Sequence, residues 1–493
     1  MKPAKKRSYV MIFSAVIATA VALWGIFAHE SFAGVADSLM GVLKKNGSWL
    51  YLWGMLLFVI FSLVLAFSRW GKVRLGADDE KPEYSTVSWF AMLFAAGMGV
   101  GLVFWGVAEP LSHYVAPMAG IDPASEESAA FAVRSCFMHW GLHPWACYAV
   151  MGLGLAYFQF RKGKAAMVSN ILTPLWGERP WLSAGVDIFT AVLTAIGVAV
   201  SFGMGCLQIS EGLNHLFGIP NGAVTWVVII VLICCVYMWS SISGVSRGIK
   251  FLSNLNLGMF LALMLLAFVI GPMGQTLQMG VKGLGDYLLN FFPDSVNTDS
   301  GNGSTWVQDW RVFYWAWWVS WAPFVGSFVA RISRGRTIRE FVLGVIIVPM
   351  LVSVLWFTVF SGMTLNVMDQ FSFDQLLAMS GTPETTLFLI FERYPFGKGL
   401  SVIAMVLLIT FFITSADSAT FVLSMLTSEG TLNPPTGKKL FWGALIAVTA
   451  FALLLSGGIQ MIQTISIVIA FPYLFILALI GVSLVHSLRK ERK

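Results

Sequence analysis

The chain has 493 residues, 57% of them hydrophobic and only 11% charged, where an ordinary soluble protein carries about 25% charged residues. A water-soluble fold cannot hide that much apolar surface, and no long polar block offers room for a separate soluble domain. The composition therefore excludes a soluble enzyme and indicates an all-α polytopic membrane protein. The net charge of +6 does not signal a nucleic-acid partner, because Lys and Arg sit in short clusters between apolar runs, where they orient membrane spans. Cys136, Cys147, Cys206, Cys234 and Cys235 all lie within apolar runs, with neither disulfide nor zinc-site spacing.

A hydrocarbon core takes about 20 apolar residues per helix, and by that measure the chain holds roughly twelve runs. They begin with Tyr9–Phe27, Leu50–Ser68, Val87–Val107 and Cys136–Phe160. Ala184–Leu207, Thr225–Ser241, Leu252–Ile270 and Trp306–Ile332 follow, then Phe341–Phe360, Leu400–Met425, Leu440–Leu455 and Met461–Val485. The first run continues into Glu30 and further spans without a small-residue cleavage site, so it reads as a retained span. Basic residues mark every second connection: Lys2, Lys5, Lys6 and Arg7, then Arg69 to Arg74, Arg161 to Lys164, Arg247 and Lys250, Arg331 to Arg339, Lys438 and Lys439, and Arg489 to Lys493. That alternation places both termini in the cytoplasm.

Three stretches break the rules of a plain membrane helix. In the third run, Gly97, Gly99 and Gly101 weaken the helix and free backbone carbonyls. Small residues also serve close helix contacts in membranes, but three alternate glycines favour a locally unwound segment lining a cavity. In the eighth run, Trp317 and Trp318 precede Trp321 by one turn, with Pro323 as an expected helix breaker. An interfacial aromatic belt accounts for Trp310 and Trp315 but not for Trp318 and Trp321, deep in the span. The fourth run adds Trp140, Trp145 and Tyr148. Two aromatic clusters on two spans can converge into a cage, and such cages suit quaternary ammonium groups. His139 and His143 read as structural, with no acid partner nearby in sequence. In the tenth run, Thr414 and Ser415 are followed by Asp417. Such hydroxyls often only bond preceding carbonyls; with freed carbonyls they also make a hard-cation site. Asp417 is equally open to a functional or a helix-pinning role.

The stretches Gly97–Gly101 through Trp105–Pro110, His139-Trp140 with His143–Trp145, Tyr314–Phe324, Arg331–Arg339 and Thr414–Ser418 resemble the betaine/choline/carnitine transporter family. The resemblance implies two inverted five-helix repeats of LeuT-like form preceded by two extra helices. Residues 1–86 would hold the tail and extra helices, 87–271 the first repeat, 272–305 an external connection, 306–486 the second repeat, and 487–493 a short cytoplasmic tail. It further implies an aromatic substrate site of Trp140, Trp145, Tyr148, Trp317, Trp318 and Trp321, with the unwound Gly97, Met98, Gly99 and Gly101 beside it. A sodium site would use carbonyls of Ala95, Met98 and Phe411 and hydroxyls of Thr414 and Ser415. The family's second sodium site matches at Thr194 and Phe324, but Val198 stands where a second hydroxyl is needed, leaving that site weak or absent. Sodium-independent exchangers of the family fill the first site with a basic side chain, and the fifth span here carries none. Choline carriers tend to carry an acid where Gly101 stands, so a zwitterion with its own carboxylate is favoured, among glycine betaine, carnitine and relatives.

The expectation is therefore a sodium-coupled importer in the bacterial inner membrane, a homotrimer by resemblance, with sodium as coupling ion and no cofactor. An exchanger of carnitine-type betaines and a choline importer are the alternatives. A channel filter and a nucleophile–base pair or metal cluster are missing from the sequence, which speaks against a channel or an enzyme. By the same resemblance, osmosensing members carry long charged extensions, and the short tails here suggest constitutive or nutrient uptake, or only weak osmotic activation.

Overall fold

A computed structural model describes residues 8–97, 99–243, 246–298, 301, 303–431 and 433–491. Met98 and the tail residues Lys2, Lys5, Lys6, Arg7, Arg492 and Lys493 lie outside the described residues. The secondary structure is helical throughout, and no strand forms among the described residues.

The first helices are α1 (Ser8–Phe27), α2 (His29–Asn46) and α3 (Ser48–Phe67). The Gly-rich third run is two helices, α4 (Thr86–Gly97) and α5 (Val100–Val115), with Gly99 extended between them (φ −158°, ψ −164°). The fourth run is likewise split, into α6 (Glu126–Trp140) and α7 (Leu142–Ala156), which meet at Gly141. Ser125 starts α6 with a reciprocal cap to Ser128, satisfying backbone donors that a helix start leaves orphaned. Next come α8 (Val168–Trp176), the long α9 (Pro180–Phe217), α10 (Ala223–Ser243) and α11 (Ser246–Ile270), then α12 (Met273–Leu289) and α13 (Phe291–Val296). A wide π-type turn over residues 307–312 feeds α14 (Phe313–Arg331), and α15 (Ile338–Leu365) follows with a Thr337/Glu340 capping box. The chain ends through α16 (Phe373–Gly381), α17 (Pro383–Phe391), α18 (Gly397–Leu426), α19 (Thr436–Leu455) and α20 (Gly458–Arg489).

Among the described residues, eight helices are long and apolar enough to cross a membrane: α1, α3, α9, α11, α15, α18, α19 and α20, and α10 adds a shorter apolar stretch. Val64, Leu232 and Leu265 are largely exposed on their outer faces. Exposed aliphatic surface on that scale needs a lipid solvent. The interior is built where α14 lies against α7 and α20, and α9 against α18 and α19.

At one end, residues 73–83 are sewn to residues 334–338. Leu75 N–H donates to the Arg336 carbonyl (2.8 Å), Gly335 N–H to Leu75 (2.8 Å) and Ile338 N–H to Val73 (2.9 Å). Gly335 sits at φ +78°, a left-handed conformation that costs other residues about 1–2 kcal/mol. Arg161 joins the same end, reaching Asp78 (2.8 Å) and Glu491 (2.9 Å).

Several expectations need correction. Pro323 does not break α14, which runs through it; the irregular turn comes earlier, at 307–312. The expected third run stopped at Val107, but α5 continues to Val115 and takes Glu109 into the interior. Residues 29–46, 168–176, 273–289 and 373–391, expected to connect spans, are largely helical. Short length hid α8, α16 and α17 from a search for spans of about 20 residues, and polar content hid α2, which buries just Phe32 and Ala36.

Candidate substrate site

The two broken helices and the Trp-rich helix converge on one narrow cleft. Trp140 closes α6 at the Gly141 break, and Trp145 and Tyr148 occupy the first turns of α7. Opposite them stand Trp317, Trp318 and Trp321 of α14, and all six aromatic residues line the cleft. Gly99 and Gly101 line it from the α4–α5 break. The described aromatic residues of the expected substrate set, with Gly99 and Gly101, are therefore together, and Gly97 ends α4.

The rings form an angular box. Trp317 and Trp318 stack at 4.7 Å between centroids, 14° from parallel. Trp140 meets Trp318 edge to face at 4.8 Å and Trp317 at 5.9 Å. Tyr148 stands edge-on to Trp318 at 6.4 Å and to Trp145 at 5.6 Å. Hydrogen bonds fix each indole by its edge. Trp318 Nε1 donates to the His139 carbonyl (2.9 Å), Trp317 Nε1 to Ser201 Oγ (3.2 Å), and Trp321 Nε1 to the Gly197 carbonyl (2.9 Å). Trp140 Nε1 donates to Glu109 Oε2 (2.8 Å). With their N–H groups held, the rings have set orientations, and a ring face is the surface that attracts a cation. Trp145 Nε1 is the exception: it is buried and has no partner among the described residues.

The candidate ion ligands lie at the edge of this cleft. Ser415 of α18 lines it, and its Oγ is 4.0 Å from where a β-carbon on Gly99 would stand. Thr414 bonds its own helix, donating to the carbonyls of Thr410 (3.0 Å) and Phe411 (3.2 Å), the ordinary habit of a helical threonine. Asn256 of α11 also donates to Thr414 Oγ1 at 3.0 Å. Ala95 lies in the last turn of α4, and Met98 lies outside the described residues. For the second site, Thr194 is buried on α9 and donates to the Thr190 carbonyl (2.7 Å). Phe324 packs edge-on against Trp321 at 5.4 Å. Val198, one turn from Thr194, is buried and supplies no side-chain oxygen.

Sequence reasoning missed Asn256, Ser201, Tyr314 and Glu109. It also assigned His139 no acid partner, whereas Glu109 Oε1 lies 2.7 Å from His139 Nδ1. The signal was present: an acid inside a membrane helix is a functional candidate by default. It went unused because the apolar run ends two residues earlier.

A many-helix bundle with apolar outer faces, two interrupted helices and a buried aromatic cleft at the breaks describes a membrane transporter. The chain belongs to the BCCT family, the betaine/carnitine/choline family transporters, whose model matches residues 9–493. It is similar to the glycine betaine transporter OpuD of Bacillus subtilis, 42% identical over 99% of this chain and 95% of that protein. A probable glycine betaine transporter of Desulfitobacterium hafniense is 39% identical, over 99% of this chain and 98% of that protein. An ectoine/hydroxyectoine transporter of Virgibacillus pantothenticus is also 39% identical, over 98% of this chain and 97% of that protein. The family consists of transporters, and the chain is a multi-pass membrane transporter, not an enzyme.

Proposed function

We propose that the protein imports glycine betaine, or a closely related methylated zwitterion, by sodium symport across the bacterial inner membrane. The observation that carries this reading is the box of edge-anchored indoles around Trp140, Trp317 and Trp318. A trimethylammonium group donates no strong hydrogen bond, so ring faces recognise it better than acceptors do. The substrate's carboxylate finds donors in the opened α4–α5 backbone and in the unpartnered Trp145 N–H. Two relatives named as glycine betaine transporters agree with this choice.

Sodium coupling rests on the resemblance and on oxygen chemistry. Ser415 faces the cleft beside Gly99, and Thr414 is adjacent. Together with the carbonyls of Ala95, Met98 and Phe411 they make an all-oxygen set suited to a hard cation. Val198 leaves the second site one oxygen short, so one sodium ion per cycle is the favoured stoichiometry. In this reading the two repeats span 87–271 and 306–486, twelve spans cross the bilayer, both termini are cytoplasmic, and three copies assemble.

Titrating purified protein with glycine betaine while following tryptophan fluorescence tests the substrate and the ion together. Saturable change, tighter in sodium than in potassium, is expected. A response to ectoine alone would move the substrate to that class, and equal affinity in both salts would remove the coupling.

A further inference from the structure

Glu109 lines no part of the cleft, yet the cleft is hung from it. Its side chain has no exposed surface and is met from three helices. Oε1 faces two imidazoles, His139 Nδ1 at 2.7 Å and His113 Nε2 at 3.3 Å. Oε2 accepts the Trp140 indole N–H at 2.8 Å and the Tyr314 hydroxyl. The two oxygens thus divide the work: one binds the histidines, the other binds aromatic residues of α6 and α14.

Those aromatic residues lead directly to the ligand-facing rings. Trp140 is itself a wall of the cleft. The Tyr314 ring stacks on Trp318 at 5.8 Å, 28° from parallel, and meets Trp140 at 5.7 Å. The His139 backbone carbonyl in turn holds Trp318. One carboxyl group therefore sets the relative placement of Trp140 and Trp318, which come from helices that the family fold assigns to different halves of the chain. Burying a carboxyl group is costly unless its lone pairs are filled, and an apolar side chain would hold the helices together without that cost. What an apolar residue cannot do is fix the rotation of an indole and a phenol about their ring axes.

We infer that Glu109 is the positioning residue of the aromatic cleft, holding Trp140 directly and Trp318 through Tyr314 so that both rings face a cationic ligand. The inference rests on the reading that this cleft binds the quaternary ammonium group. Charge is not the operative property. A glutamine at 109 can keep its carbonyl oxygen on Trp140 and Tyr314 and turn its amide N–H groups to the histidines, since a neutral imidazole accepts or donates by tautomer. An aspartate keeps the charge but is one methylene short.

The test is binding of radiolabelled glycine betaine to the purified full-length transporter in sodium. Glu109→Gln is expected to hold affinity within about threefold, while Glu109→Asp and Glu109→Leu lose about tenfold or more. Trp140→Phe keeps a ring and removes the N–H, so in that background Glu109→Leu is expected to cost clearly less than in the wild type, the remaining loss being that of the arm through Tyr314 and Trp318. Additive losses in the double variant, or Asp binding better than Gln, would overturn the inference. Because Glu109→Leu alone could fail to fold, the Gln/Asp contrast decides by itself. Trp318→Leu is the control. Loss of affinity there with additive Glu109 and Trp140 effects overturns only the positioning role, whereas unchanged affinity there overturns the aromatic cleft as the binding site and this inference with it.

Discussion

The Trp317 ring covers Gly101 so closely that a β-carbon at position 101 would stand 2.7 Å from Trp317 Cη2 and 3.2 Å from Trp140 Cη2. The glycine is therefore part of the aromatic wall, since it lets the first turn of α5 approach two indoles at once. Trp317 is 2% exposed and stacked on Trp318, so it has no free direction in which to retreat. Gly101→Ala is expected to lower betaine affinity by about tenfold, matching overpacking costs of ~1–3 kcal/mol. Equilibrium binding to the purified variant checks this, and an unchanged dissociation constant would show that the wall yields.

Trp318 sits at the centre of the box, touching Trp140, Trp317, Tyr148 and Tyr314. Replacing it with leucine keeps apolar bulk and removes the π face. A desolvated cation loses about 2 kcal/mol in that exchange, roughly a thirtyfold rise in uptake KM. Wild-type KM in Trp318→Leu would exclude this ring from substrate recognition.

Thr414 and Ser415 carry the side-chain oxygens of the proposed first ion site. Changing both to alanine is expected to abolish sodium activation of uptake while leaving the aromatic box, on other helices, in place. Residual betaine binding that no longer differs between sodium and potassium is the expected signature. A preserved sodium dependence would locate the ion elsewhere.

Outside the membrane, Glu491 ties the end of the chain to Arg161 (2.9 Å), Lys162 (2.7 Å) and Tyr157 (2.6 Å). Burial opposes its ionisation, but the hydrogen bonds from these three side chains win and hold its pKa at about 2, well below the usual carboxylate range. A carboxyl group with a depressed folded-state pKa stabilises fully above its unfolded value and loses that effect as pH falls through the folded one. Protection of the amides around residues 485–491 from hydrogen exchange should therefore fall as pH drops from 4.5 toward 2, once intrinsic exchange rates are corrected for. Glu491→Gln is expected to exchange faster at neutral pH, with the difference from wild type vanishing at the acid end. Equal protection at neutral pH would show the tie to be idle.

Local chemistry made much of this legible in the sequence. Long apolar runs such as 341–360 and 400–425 lie inside α15 and α18, because a lipid-spanning helix announces itself by composition alone. The aromatic residues of α7 and α14 were readable for a similar reason, as their spacing places them on shared faces. Glu109 was not. Its meaning depends on His139, Trp140 and Tyr314, which lie 30 to 205 positions away and meet it only in the fold. Pro323 misled in the opposite direction. Proline removes one helical hydrogen bond, and α14, buried among its neighbours, tolerates that loss without interruption. Asn256 shares the fate of Glu109: its partner, Thr414, is supplied by another span.

Accumulation of a methylated zwitterion at the expense of a sodium gradient is the behaviour proposed for this transporter. Uptake of glycine betaine into proteoliposomes, with an inward sodium gradient and with potassium in its place, tests it most directly. Accumulation only with sodium is the expected result. Uptake indifferent to sodium but dependent on preloaded substrate would make the protein an exchanger and contradict the assignment of Thr414 and Ser415.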